Sequence, residues 1–153
     1  MFDLQKVIKE YTDALVQFEQ EHAATTLRFG TSDSAMESRF PTGRMELEDK
    51  VKMLEDQIDD LKKRLKSLKD LVTKKQQKSD TVTTHSAVNM VLDGESGWFL
   101  VSEDISDFKN GIISVETVLG KHILNAPVGE KTIQTENNDM IFVHIKDVIA
   151  LVD

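Results

Sequence analysis

Apolar residues recur through the middle of the chain in an unbroken four-three alternation: Leu47, Val51, Leu54, Ile58, Leu61, Leu65, Leu68 and Val72. This is a heptad seam, and Glu48, Asp49, Lys52, Glu55, Asp56, Asp59, Asp60, Lys62, Lys63, Arg64, Lys66 and Lys69 fill the rest of the helical circumference with charge. So narrow an apolar stripe requires a partner helix. The first segment offers one, because Leu4, Ile8, Tyr11, Leu15, Phe18, His22, Thr25 and Phe29 repeat with the same spacing, weakening at His22 and Thr25. The pattern predicts one helix from about Phe2 to Phe29, roughly 40 Å long, and another from about Arg44 to Lys75, roughly 48 Å long, paired as an antiparallel hairpin. A parallel homodimer through the second helix uses the same seam and stays open at this point. Acids early in the second helix (Glu46, Glu48, Asp49, Glu55) and bases late (Lys66, Lys69, Lys74, Lys75, Lys78) suit its dipole.

Residues 30–43 break the heptad and form the expected tip of the hairpin. Ser32 can cap a short helical turn running to Arg39, Pro41 disfavours helix at Phe40, and Thr42 can cap the second helix. The tip carries Asp33 and Glu37, one helical turn apart if that stretch is helical, with Arg28, Arg39 and Arg44 nearby. Carboxylates on one face can hold a divalent metal or a water, and arginines can hold phosphates. Such an acid pair in a hydrophilic loop is by itself ordinary solvated surface, and only its place at the end of a long arm sets it apart.

After Lys78 the period changes. Residues 79–84 read as a polar linker, and 85–153 as a small second domain. Ala87–Leu92 and Trp98–Val101 are predicted strands around the Asp93–Gly97 turn, Ile112–Val115 a third strand, and Val118–Leu124 a short helix capped by Thr117. Lys131–Thr135 and Met140–Val148 close with a hairpin. Trp98, Leu100, Ile113, Leu119, Ile123, Ile133, Phe142 and Ile145 are the expected core. The fold class is therefore α+β: an amino-terminal antiparallel coiled-coil hairpin over residues 1–78, then a domain with an antiparallel sheet and one short helix.

Composition narrows the function. With 153 residues, 39% apolar and 30% charged, the chain has more charge than a compact core domain needs, as long exposed helices would require. It contains no cysteine, which removes disulfides, thiol catalysis and thiolate metal sites and suits a reducing compartment, the cytoplasm. The amino terminus lacks the apolar run of a signal peptide, and no apolar stretch is long enough to cross a membrane. The net charge of −8 sits mostly in residues 81–153, where eleven acids face four bases. That surface repels nucleic-acid backbones and favours a basic protein partner. The four histidines, His22, His85, His122 and His144, show no metal-ligand spacing, and no glycine loop is built to cradle phosphates.

Gly97-Trp98-Phe99-Leu100-Val101-Ser102-Glu103-Asp104, followed by Asp107-Phe108-Lys109-Asn110-Gly111-Ile112-Ile113-Ser114-Val115, resembles the carboxy-terminal domain of bacterial GreA and GreB factors. Thr117 to Glu130 is similar to the "SPIGRALLGKKVGD" stretch of that family. The resemblance implies an FKBP-like carboxy-terminal domain that docks on RNA polymerase core at the rim of its secondary channel, with Ser114, Val115, Leu119 and Gly120 as anchoring candidates. It implies that the coiled-coil tip approaches the catalytic Mg²⁺ and the nascent RNA 3′ end, where Asp33 and Glu37 would help bind a metal ion and water. The chain would then be a monomeric regulator with no cofactor or enzymatic activity of its own. The tip departs from the family's "GDLxENAEY": with the glycines matched, Thr31 and Ser34 fall where the family has its acids, and Asp33 and Glu37 are displaced. A Gre-like factor that inhibits or regulates without promoting cleavage, and a coiled-coil interaction module unrelated to transcription, are the alternatives. A prolyl isomerase is the weakest reading, since few aromatics beyond Trp98, Phe99, Phe108 and Phe142 are present to line a pocket.

Overall fold

The computed structural model describes residues 2–31 and 41–153, with side chains described for 2–28 and 45–153. The chain divides into two compact units, Gln5–Lys66 and a second made of Met1–Leu4 with Ser67–Asp153.

In the first unit α1 (Leu4–Thr31) pairs with α2 (Pro41–Val72). The pairing is antiparallel. Glu21 meets Lys50 at 3.2 Å, His22 meets Glu55 at 3.1 Å, and the Arg64 guanidinium lies 5.9 Å from the centre of the Tyr11 ring, so partners run in opposite directions along the two helices. The α2 seam is therefore occupied by a helix of the same chain, which is the intrachain arrangement the heptads left open. Val7, Tyr11, Leu54, Ile58, Leu61 and Leu65 are buried, whereas Leu15, Phe18, Leu47 and Val51 are half-buried.

Three helix boundaries differ from expectation. The first helix begins at Leu4, after Phe2, which is buried in the other unit beside Gly111. The second begins at Pro41, one residue before the expected cap Thr42, as proline's fixed φ and missing N–H suit the first helical position. It ends at Val72, which is exposed, and Leu71 is buried in its place. From Ser67 onward the helix belongs to the second unit, where Leu68 keeps its seam position and is fully buried while the next buried position moves from Val72 to Leu71.

Lys75–Lys78, expected to close the hairpin domain just past the second helix, instead belong to β1 (Lys75–Ser79), which pairs antiparallel with the last strand, Lys75 opposite Val152 and Ser79 opposite Val148. The expected linker is also packed into the domain: Val82 is fully buried, its N–H donates to the Ala126 carbonyl, and its own carbonyl accepts from the Asn125 N–H. The remaining strands are β2 (Ser86–Leu92), β3 (Glu95–Ser102), β4 (Ile112–Ser114), β5 (Gly129–Gln134) and β6 (Met140–Val152). Their order is β1-β6-β2-β3-β4, with β5 on β6; all pairs are antiparallel except β3 with β4.

β2 and β3 are joined by Asp93-Gly94 with φ of 48° and 86°, the two positive φ values that a type I′ turn needs to match strand twist. A single 3-10 turn, Phe108–Asn110, precedes β4, and α3 (Val118–Ile123) follows it. As expected, Thr117 caps α3: its hydroxyl accepts from the Gly120 N–H at 3.1 Å. Val88, Met90, Val101, Ile113, Val143, Ile145 and Val148 on the sheet pack with Val82, Ile123, Ala126 and Ile133 into one core.

Leu100, Ile113, Ile123, Ile133 and Ile145 are buried as expected, but Trp98 and Leu119 are half-buried and Phe142 is 64% exposed. Phe142 and Ile145 stand three residues apart on one strand, so their side chains leave opposite faces of the sheet. Ile145 takes the core. A bulge then skips Lys146, Asn89 pairing with Asp147 and Met90 with Ile145, which returns Val148 to the same face as Ile145.

Candidate functional site

Two places carry the sequence-predicted site residues. At the far end of the hairpin, Asp33, Glu37 and Arg39, with the short helix expected from Ser32, lie outside the described residues. Arg28 is exposed in the last described turns of α1, and Arg44 belongs to the first turns of α2. The approach to this end is more polar than the rest of the seam, with the His22–Glu55 and Glu21–Lys50 contacts and the buried Thr25.

The second place surrounds β4. Here the four anchoring candidates separate into two kinds. Ser114 is only 5% exposed and its groups are committed locally: its hydroxyl accepts from the Glu116 N–H, and its carbonyl accepts from the Thr117 N–H at 3.1 Å and the Thr117 hydroxyl at 2.7 Å. Gly120 is buried against the same carbonyl, since a Cβ there would stand 1.8 Å from the Ser114 oxygen. These two residues seat α3 on the end of β4, with their side-chain positions buried. Val115 and Leu119 are half-buried, packed on the core with one face left accessible.

The accessible apolar surface beside them comes from residues that the resemblance did not single out. Phe108, in the turn before β4, is 59% exposed and stacks on Phe99 of β3, with ring centres 5.8 Å apart and planes inclined by 26°. Val118, at the start of α3, is 45% exposed. Water-facing aromatic and branched side chains thus flank one short edge strand, and the exposed acids Glu103, Asp104 and Glu116 stand close by in sequence. Asp107 has a different task, its carboxylate accepting from the Asn110 side-chain amide at 2.7 Å and the Asn110 N–H at 3.4 Å to hold the turn that presents Phe108. The only signal in the sequence was a Phe directly after a turn-forming Asp.

Open clefts also lie among the described residues of this domain. One, of about 500 Å³, is lined by Ser67, Asp70, Leu71, Lys74, His85, Asp104 and the last three residues. In it the Lys74 ammonium donates to the Asp153 carboxylate, and that hydrogen bond and charge hold the Asp153 carboxyl below the usual range. Another, of about 510 Å³, includes Val91, Glu130, Thr132, Phe142 and His144. Among the described residues no cluster of His, Asp and Glu is arranged to hold a metal ion, and no helix is long and apolar enough to cross a membrane.

The chain thus combines a helical hairpin in one unit with, in the other, an antiparallel-rich sheet and one short helix. The family described as "Transcription elongation factor, GreA/GreB, C-term" matches residues 76–150. Residues 76–150 therefore carry a GreA/GreB-type carboxy-terminal domain. Among solved structures, it is similar to a GreA/GreB elongation factor from Nitrosomonas europaea, with 20% identity over 45% of this chain and 60% of that one, and a TM-score of 0.36. It is also similar to GreA factor homolog 1 (Gfh1) of Thermus thermophilus, with 15% identity over 92% of this chain and 93% of that one at a TM-score of 0.36. Gfh1 of Thermus aquaticus has 17% identity over 95% and 90% of the two chains, at a TM-score of 0.35. The chain thus spans 60% of the length of the first of these structures and nine-tenths or more of the other two. No curated protein matches it.

Proposed function

We propose that this chain regulates transcription by binding RNA polymerase core at its secondary channel, anchored by the carboxy-terminal domain, with the end of the hairpin directed at the active centre. The observation that carries this reading is the family match over residues 76–150, which covers β2 to β4, α3 and the closing strands. The Phe99–Phe108 pair and Val118 supply an apolar contact on a domain whose excess of acids favours a basic partner surface. The chain acts as a monomer in the cytoplasm and is not itself an enzyme. Any phosphoryl chemistry belongs to the polymerase and its Mg²⁺, with Asp33 and Glu37 able to add metal and water ligands at the RNA 3′ end.

A second reading is favoured by one specific observation. When the family's tip glycine is matched to Gly30, Thr31 and Ser34 stand where its acids lie. A neutral hydroxyl binds a divalent cation far more weakly than a carboxylate, so on this reading the factor occupies the channel without promoting cleavage. The two readings part in a transcript-cleavage assay on stalled elongation complexes. If Asp33 and Glu37 serve as ligands, the wild-type chain stimulates cleavage and Asp33→Ala or Glu37→Ala abolishes it; if the factor only occupies the channel, the wild type slows elongation without cleavage. A wild-type chain that is not retained by core polymerase at moderate salt removes both readings.

A further inference from the structure

Thr25 is fully buried in the hairpin, and its hydroxyl has no hydrogen-bond partner. A helical threonine ordinarily returns its hydroxyl to the carbonyl four residues earlier, as Thr12 does to Ile8 at 2.7 Å. A buried hydroxyl deprived of both water and an acceptor is a standing cost, because the partners it had in the unfolded chain are not replaced. Opening the helices around it would return that hydroxyl to water.

The neighbours of Thr25 along the seam do little to hold the pair closed. His22 occupies a seam position and bonds Glu55; Lys50 reaches Glu21; Leu47 and Val51 are only half-buried. Side chains in both polar contacts are partly open to solvent, where such pairs are weak and are screened by salt. Further back, between Val7 and Tyr11 on α1 and Leu54 to Leu65 on α2, the seam is closed by buried apolar side chains. One hairpin thus contains an apolar clamp and, beyond it, a polar stretch built around an unsatisfied group.

We propose that the polar stretch, about residues 20–31 of α1 and 41–53 of α2, is a separately opening clasp. It unzips by local unfolding while the apolar part stays paired, and the opening is promoted by salt. The clasp sets how far the described ends of the two helices, up to Thr31 and from Pro41, stay paired, and makes that pairing depend on ionic strength. This inference concerns the hairpin alone and does not rest on the polymerase reading.

Hydrogen exchange read by mass spectrometry on the full chain, at low and high salt, tests it. Peptides within residues 20–28 are expected to exchange at least about tenfold faster than those within 7–15, and high salt widens the gap. Thr25→Val removes the hydroxyl at nearly constant shape and helix propensity, so it slows exchange in the distal peptides by about fivefold or more and leaves 7–15 unchanged. Glu55→Gln, which weakens the bond to His22, speeds the distal peptides only. Equal protection along α1, a Thr25→Val variant with unchanged or uniformly altered exchange, or no distal effect of Glu55→Gln would each overturn the proposal.

Discussion

Gly120→Ala tests the assignment of the β4–α3 junction as a packing device. In isolation the change favours the fold, because alanine in a helix is better than glycine by about 1 kcal/mol. The surroundings reverse the sign. The new Cβ would stand 1.8 Å from the Ser114 carbonyl oxygen, 2.7 Å from its carbon and 2.9 Å from the Val115 Cα. All three are backbone atoms of a buried strand end, and the oxygen is held by two hydrogen bonds from Thr117, so no flexible side chain can yield. Overpacking typically costs 1–3 kcal/mol, and a clash this deep against backbone belongs at or above the top of that range, leaving a net loss of about 2 kcal/mol or more. For a domain of this size that lowers Tm by about 10 °C or more. Trp98, the single tryptophan and half-buried in β3, reports urea unfolding of this unit by fluorescence. A variant with a transition midpoint equal to or above the wild type would refute the close approach, and with it the assignment of Gly120 to packing.

Phe108→Ala removes an exposed ring, so it should change stability by less than about 1 kcal/mol while weakening the retention of the chain on core polymerase by about tenfold; unchanged retention of a folded variant would remove Phe108 from the contact. At the carboxy terminus, the Asp153 carboxyl has a lower pKa in the folded chain than in the unfolded one. Its contribution is therefore present above the unfolded value and lost as pH falls through the folded value. Because the pair is exposed, the readout is the titration itself: Lys74→Met should return the Asp153 midpoint, followed by NMR, to the ordinary carboxylate range with almost no change in Tm, and an unmoved midpoint would contradict the pairing.

The seam was legible because burial on one helical stripe leaves a period that nothing else imitates, and the intrachain contacts follow it from Tyr11 to Thr25. The Thr117 cap and the Asp93-Gly94 turn were legible because each needs a particular side chain or a positive φ. β1 was not. Lys-Gln-Gln-Lys-Ser presents no apolar alternation, its strand being held by backbone bonds to β6 alone, and its two lysines read as the basic end of a helix. The bulge at Lys146 was equally hidden, since the extra residue shows in the pairing and not in any residue type, whereas Phe142 and Ile145 lie on opposite faces through their odd spacing alone. At the candidate anchor, the stretch around β4 was found by resemblance, but which side chains face water depended on the close approach of Gly120 to Ser114. Similarity of residues could not distinguish the groups that build the junction from those that border it.

When the chain is bound to polymerase, residues 32–40 should lie beside the catalytic Mg²⁺. Replacing the catalytic Mg²⁺ of core polymerase with Fe²⁺ generates hydroxyl radicals at the active centre, which cut any backbone held nearby. Bound in the secondary channel, the chain should be cut between Thr31 and Pro41 and nowhere in residues 85–153. Cleavage in the carboxy-terminal domain, or none in a chain shown to be bound, would contradict the account.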